Sequence, residues 1–200
     1  MFELRPYQQD AVDAHVAFFK NPKGNGLSIL PTGSGKSVVI AETVKQLGDH
    51  TLILQPSKEI LTQNVAKLRS YGCEASVFSA SLNTKDVGEV TYAMIGSIIR
   101  KPELFKQFKY VIVDECHFVN AKGGMYSDFF KMIGAKKILG LTATPYRLSS
   151  DMYGSMLKFL TRTRPKVFDD VIYCVQNKTL FDAGYLCPLT YYDIPRIPAG

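Results

Sequence analysis

The sequence predicts an α/β domain built on a mainly parallel sheet with helices on both faces. Three observations carry this expectation. Short apolar runs alternate with segments of helical periodicity, the pattern of parallel strands joined by crossover helices. A glycine loop, Leu30-Pro31-Thr32-Gly33-Ser34-Gly35-Lys36-Ser37, lies between one such run and one such helix. Polar clusters follow directly after four of the runs, and open α/β sheets gather ligands at the carboxyl ends of their strands.

Taken in order, residues 6–20 read as a helix. Pro6 suits a first turn, and Val12, Val16 and Phe19 recur at helical spacing. A turn-rich break at 21–26 precedes the apolar run Leu27 to Leu30, the glycine loop and a helix from Val38 that closes around 48–50. Thr51 to Leu54 reads as a buried strand ended by Pro56, and Ser57 as the N-cap of a helix through about Arg69. Strands are expected at 74–79 and 89–94, with a polar surface loop at 80–88 between them. A weak helical stretch, interrupted by Pro102, covers 95–105. The strongest strand signal, Lys109 to Val113, runs into Asp114-Glu115-Cys116-His117. A short helix is expected at 125–133, and a strand at 137–141 ending in Thr142-Ala143-Thr144-Pro145. Beyond Pro145 the pattern weakens: a helix at 152–162, a strand at 171–175, a helix end with a turn at 181–186, and a linker-like end at 197–200.

The totals bound the class. Two hundred residues with 46% hydrophobic content suit one large domain with a sizeable core. A net charge of +6 fits a polyanionic partner without requiring one. Cys73, Cys116, Cys174 and Cys187 form no C-x-x-C pair, which argues against a zinc site and for reduced thiols. The start, Met1 to Pro6, carries no basic-then-apolar signal, and no apolar run is long enough to span a bilayer. A soluble cytoplasmic protein without membrane contact is the expectation.

The clusters after the strands have the chemistry of a nucleoside triphosphate site. Gly33 and Gly35 permit a loop whose backbone N–H groups point inward at phosphates, with Thr32 and Ser34 between and beside them. The following helix adds its unpaired N–H groups and the positive end of its dipole. Lys36 can reach the outer phosphates, and the Ser37 hydroxyl can sit on Mg²⁺. The strict G-x-x-x-x-G-K-[ST] pattern asks for glycine where this chain has Leu30. Asp114 can hold the metal, and Glu115 can orient and deprotonate a water. His117 stands three residues after Asp114, and the hydroxyls of Thr142 and Thr144 can bond it. Each feature has a plain alternative: an acidic pair at a strand end, a satisfied polar histidine, a threonine chosen for strand propensity. Gln8 carries the donor and acceptor that can pair with adenine, although an exposed helical glutamine is the default for any single one.

Together, Arg5-Pro6-Tyr7-Gln8, Pro31 to Ser37, Gln55-Pro56-Ser57-Lys58-Glu59, Thr91-Tyr92, Asp114 to His117 and Gly140 to Arg147 resemble the superfamily 2 DExH-box helicases and translocases. Within that group, the stretches around Arg5, Asp114 and Gly140 look like bacterial RadD-type DNA repair helicases and the related motor subunits of restriction enzymes. So does the tail from Leu180 to Leu186 followed by Pro188. The resemblance implies a RecA-like P-loop NTPase domain over 1–165, with 166–200 leading toward a second RecA-like domain in the same or a partner chain. It also implies ATP and Mg²⁺ as cofactors. Gln8 would read adenine with Arg5 assisting, and Thr32, Gly33, Ser34, Gly35, Lys36 and Ser37 would hold phosphates. Ser37 and Asp114 would hold the metal. Lys36, Asp114, Glu115 and His117 would serve catalysis, and Thr142 and Thr144 would couple nucleotide to nucleic acid. Gln55, Pro56, Ser57, Lys58 and Thr91 would touch nucleic acid, mostly its backbone, with DNA favoured. Because the second domain of such motors supplies an arginine finger worth roughly 10³–10⁵ in turnover, the chain alone is expected to bind ATP weakly and hydrolyse it slowly. An RNA substrate, or a nucleotide-gated clamp that never unwinds, are the competing readings. A small-molecule kinase leaves Thr142 to Pro145 unexplained.

Overall fold

A computed structural model describes residues 3–21, 24–48, 50–151 and 154–187. Seven strands run parallel in an eight-stranded sheet and the eighth, at one edge, runs antiparallel. In chain order they are β1 (Gly26–Ile29), β2 (Thr51–Leu54), β3 (Ser76–Ser79), β4 (Thr84–Lys85), β5 (Val90–Ala93), β6 (Tyr110–Asp114), β7 (Lys137–Thr142) and, after a separate hairpin, β10 (Asp170–Cys174). Their spatial order is β10-β1-β7-β6-β2-β5-β3-β4. The hairpin pairs β8 (Tyr146–Asp151) with β9 (Gly154–Phe159). The longer helices are α1 (Pro6–Lys20), α2 (Lys36–Leu47), α3 (Lys58–Ser70) and α5 (Met125–Ile133); α4 (Ile95–Ile98) and α6 (Asn177–Asp182) are short.

The strands' period of two divides the core into two layers. Ile53, Ile112, Leu139 and Leu141 face α1, α2 and α3, where Ala11, Val12, Val39, Ile40, Leu61, Val65 and Leu68 complete one cluster. Leu52, Leu54, Val111, Val113 and Ile138 face the other way, onto Ile95 and Ile98 of α4, Phe129, Phe130 and Ile133 of α5, and the stacked pair Phe105 and Phe108. Burial on both faces explains why these strands read as unbroken apolar runs. Leu30, the departure from the strict loop pattern, is fully buried in the first cluster. Its side chain anchors the start of the loop where glycine would leave a gap.

Several expectations are corrected here. The helix expected at 152–162 is the second half of the hairpin, followed by a single 3-10 turn (Leu160–Arg162). The apolar residues of 146–159 are largely exposed, so no burial period marks them, and Gly154 at φ 130° starts β9. The polar loop at 80–88 holds a 3-10 turn and the edge strand β4, which pairs Phe78 with Lys85. Beyond residue 165, β10 pairs along β1 and Leu180 is fully buried in the first cluster. Pro188 and the linker-like end at 197–200 lie outside the described residues. Among the described residues, no helix is long and apolar enough to cross a membrane.

A small polar network sits inside this core. His15 is fully buried, with Nδ1 3.1 Å from Thr43 Oγ1 and Nε2 2.8 Å from Ser28 Oγ. It thus ties α1, α2 and β1 together. Burial lowers its pKa to about 3, so it is neutral in the fold. On unfolding it regains an ordinary value near 6.5, and the unfolded chain then binds the extra proton. Its contribution is complete above about pH 6.5 and is lost as pH falls toward 3, by up to about 1.4 kcal/mol per pH unit. Asp114, raised by burial to about 6, acts with the opposite sign between roughly pH 4 and 6. The test is therefore a difference. His15→Gln should be less stable than the parent at pH 7.5, and the gap should narrow steadily toward pH 5 in urea titrations. A gap independent of pH would refute a neutral buried imidazole.

Candidate functional site

Because the central strands are parallel, their carboxyl ends open on one edge, and the loops after β1, β2, β5, β6 and β7 meet there. The loop after β1 is the glycine loop. Leu30 N donates to Thr142 O at 3.1 Å, which ties the loop's first residue to the end of β7. Gly33 and Gly35 take φ of 80° and 83°, a region an L-side chain occupies only at a cost. Gly35 is also the N-cap of α2, so the first helical residues, Lys36 and Ser37, present the positive end of that helix to the loop's cavity.

Behind the loop stands α1. Tyr7 OH donates to Ser34 O at 2.7 Å, and Gln8 Nε2 donates to the same oxygen at 2.9 Å. Gln8 Oε1 accepts from Arg5 N at 3.0 Å at the start of the helix. Gln8 is only 6% exposed. Its amide holds the loop here and does not face an open base site, as its expected role would require. Arg5 lies over the Tyr185 ring, 4.8 Å from its centroid, so the end of the chain's described part closes over the same corner. The Ser34 hydroxyl is buried without a partner among the described residues.

Opposite the loop, β6 ends in Asp114, whose Oδ1 accepts from Glu115 N at 3.0 Å and whose Oδ2 accepts from Asn64 Nδ2 at 3.3 Å. Glu115 turns the chain with φ 49°, a left-handed conformation rare for a residue with a side chain. That turn swings its carboxylate back toward the glycine loop. Lys36 Nζ lies 3.2 Å from Glu115 Oε1, and His117 Nδ1 lies 3.3 Å from Glu115 Oε2. His117 Nδ1 is also 2.9 Å from Thr142 Oγ1 and 3.3 Å from Thr144 Oγ1. Thr144 N donates to Thr142 Oγ1 at 3.0 Å, closing a small network between the ends of β6 and β7.

Burial, and then the neighbouring Glu115 charge, raise the Asp114 carboxyl to about 6, with Lys36 pulling the other way. The same burial and the two acids hold the Cys116 thiol well above its usual range. Two carboxylates thus face one ammonium across the cavity. The excess negative charge, with the Ser37 hydroxyl close by in sequence to Lys36, is an all-oxygen donor set of the kind hard divalent cations take.

The structure therefore brings together Lys36, Asp114, Glu115, His117, Thr142 and Thr144, and Ser37 follows Lys36 in the first turn of α2. It does not bring two of the expected nucleic-acid contacts to the surface. Thr91 is fully buried in the first half of β5, and its hydroxyl is bonded to Gly88 O and N, each at 3.0 Å. The carboxyl end of that strand is Ala93, so the loop at the site edge begins at Met94. Gln55 is 1% exposed, and neither atom of its amide has a partner among the described residues. Pro56 and Ser57 are half-buried and Lys58 is exposed beside a concavity of about 950 Å³ that Thr32, Glu115, His117 and Tyr126 also line; Ser57 Oγ accepts from Ile60 N and caps α3. Two residues escaped sequence reasoning. Asn64 could have been found as the one polar residue on the apolar face of Leu61, Val65 and Leu68. Tyr7 stood within the Arg5 to Gln8 stretch that carries the resemblance, but with no role of its own.

Residues 1–147 match the sequence pattern of the family described as the type III restriction enzyme, res subunit. The chain belongs to this family. The chain is similar over 147 residues, at 31% identity, to the DNA 3'-5' translocase XPB2 of Sulfurisphaera tokodaii, covering 72% of this chain and 31% of that protein. It is 34% identical over 212 aligned positions to the putative DNA 3'-5' helicase Rad25 of Haloarcula marismortui, covering 98% of this chain and 30% of the relative. A putative ATP-dependent RNA helicase of African swine fever virus, QP509L, is 33% identical with 97% of this chain and 38% of the relative covered. The chain thus spans about a third of the length of these relatives. In fold it matches the type ISP restriction-modification enzyme LlaGI, solved with a DNA substrate mimic, with a TM-score of 0.67 over 92% of this chain and 21% of that one, at 20% identity. The UvsW helicase of bacteriophage T4 superposes with a TM-score of 0.59 over 72% of this chain and 54% of its own, at 22% identity.

Proposed function

We propose that this chain is the nucleotide-binding motor domain of an ATP-dependent DNA translocase or helicase. The observation that carries it is the Lys36–Glu115 contact at 3.2 Å. It places the glycine loop and the acidic turn on opposite walls of one cavity, as triphosphate chemistry requires. Lys36, Ser34 and the N–H groups opening α2 bind the phosphates. Ser37 and Asp114 hold Mg²⁺, which when bound neutralises charge on the transferring phosphoryl group. Glu115 orients and takes the proton of the attacking water. The His117–Thr142–Thr144 network joins the glycine loop and the acidic turn to the part of the same cavity that Pro56 and Ser57 line, where a nucleic-acid backbone lies. A second RecA-like domain completes the site, and within the family a RadD-like or restriction-motor role is the closest reading of the sequence.

The DNA reading leans on the two relatives named for DNA and on the DNA-bound neighbour; the viral relative named for RNA is the counterweight. A fluorescent ATP analogue titrated with and without Mg²⁺, before and after adding duplex DNA or RNA of matched length, tests both levels. Mg²⁺-dependent binding that is strengthened more by DNA is the expected result. Binding indifferent to Mg²⁺ would overturn the nucleotide site, and stronger coupling to RNA would overturn the substrate.

A further inference from the structure

The β8–β9 hairpin has no part in the site just described, yet it lines a strongly basic concave surface. Its register sets Arg147 directly opposite Lys158, and both line a basin of about 480 Å³. Lys122, Arg162 and Arg164 line the same basin. No acidic side chain lines it, and none of the five cations forms an ion pair among the described residues; Arg147 Nη1 donates only to the Val119 carbonyl, at 2.9 Å. Like charges placed directly across a strand pair destabilise it. An anion spanning the two, beside three more cations, would relieve that repulsion.

Two features point to an extended anion. The cations are spread over three separate segments of chain: the loop after β6, the ribbon, and the stretch after β9. The basin also adjoins the cavity at the sheet's carboxyl edge, because Asn120 lines both, and Pro56 and Ser57 line that cavity too. A single phosphate would fill one corner, whereas a polynucleotide backbone lying beside Ser57 would cross Asn120 and meet the five cations in turn.

We infer that the basic face of this hairpin is a second nucleic-acid contact, in which Lys122, Arg147, Lys158, Arg162 and Arg164 take successive backbone phosphates. This extends the proposed function and rests on it only for the track beside Ser57. Contacts of this kind carry no sequence information and are strongly salt-dependent.

The test is fluorescence anisotropy of a labelled duplex DNA with the 200-residue chain across a salt series. The variants are Lys158→Gln, the pair Arg162→Gln with Arg164→Gln, and Lys58→Ala as a comparison on the other part of the track. Arg162 and Arg164 are exposed and bonded to nothing among the described residues, so their loss leaves the fold intact, which thermal unfolding checks. The double variant should bind about tenfold or more weaker at low salt, and its slope of log affinity against log salt should fall by about 1 per cation removed. Its affinity for the ATP analogue should not change. Parental DNA affinity and slope in both hairpin variants, with Lys58→Ala weakened, would overturn the hairpin contact and leave the motor assignment standing. Displacement of DNA by inorganic phosphate at matching phosphate concentration would reassign the basin to a small anion and overturn it too. A parent chain that binds no DNA even at low salt would overturn both.

Discussion

Lys36→Ala should weaken Mg²⁺·ATP binding by roughly 10- to 100-fold, the worth of charge-assisted hydrogen bonds of about 1.5–3 kcal/mol. Glu115→Gln should act in the opposite direction on binding and cut turnover by roughly 10²–10⁴-fold. The opposition follows from the geometry. The ammonium lies 3.2 Å from Glu115 Oε1, both side chains being largely screened from water at 12% and 23% exposure. An incoming phosphate must draw Lys36 out of that pair. Removing the Glu115 charge releases the lysine for phosphate and relieves the acidic crowding that holds Asp114 up. The same substitution takes away the group proposed to accept the water's proton. Analogue titration gives the binding arm, and single-turnover hydrolysis with enzyme in excess gives the chemical arm, since it registers slow rates. The double variant should be non-additive in binding, because each residue's effect works through the other. Parental hydrolysis by Glu115→Gln would remove it as the base, and additive binding effects would show that the pair does not gate the loop.

How much of this was legible in the sequence depends on what each residue answers to. Thr51–Leu54 and Met125–Ile133 were read with their observed bounds, because burial on both faces of a strand and one face of a helix leave clear periods. The glycine loop and the acidic turn were legible because backbone permissiveness and paired charge need particular residue types in a set order. Thr91 was not, since one residue's place along a four-residue strand decides whether it sits at the ligand edge or beneath the sheet. Gln8 was half legible: its donor and acceptor were recognised, but the nearest acceptor in space is the Ser34 carbonyl, a contact across 26 residues. The hairpin left no trace because its apolar side chains are exposed. Tyr146, Leu148 and Leu157 lie 44%, 67% and 64% open to solvent, so no alternation with a core was available to find.

The largest stability effect is expected at Gly140→Ala. Gly140 is the fourth residue of β7, paired with Leu27 on one side and Val113 on the other. A Cβ built there would come within 2.6 Å of Cys116 Sγ and of two atoms of the Phe168 ring. Neither neighbour is the free end of a flexible chain: Cys116 is fully buried, and Phe168 is 1% exposed in the same cluster. Overpacking of this kind costs about 1–3 kcal/mol. In a domain of this size that lowers the melting temperature by about 2–4 °C per kcal/mol. The damage should also reach the site, because Cys116 follows Glu115 directly, and pushing the thiol back strains the left-handed turn that aims the carboxylate at Lys36. Gly140→Ala should therefore lose nucleotide affinity as well as heat tolerance. Adding Cys116→Ala removes one of the two obstacles, and it should restore the affinity more fully than the melting temperature, since Phe168 still opposes the new methyl. Equal recovery of both, or none of either, would show that this glycine does not connect the core to the acidic turn.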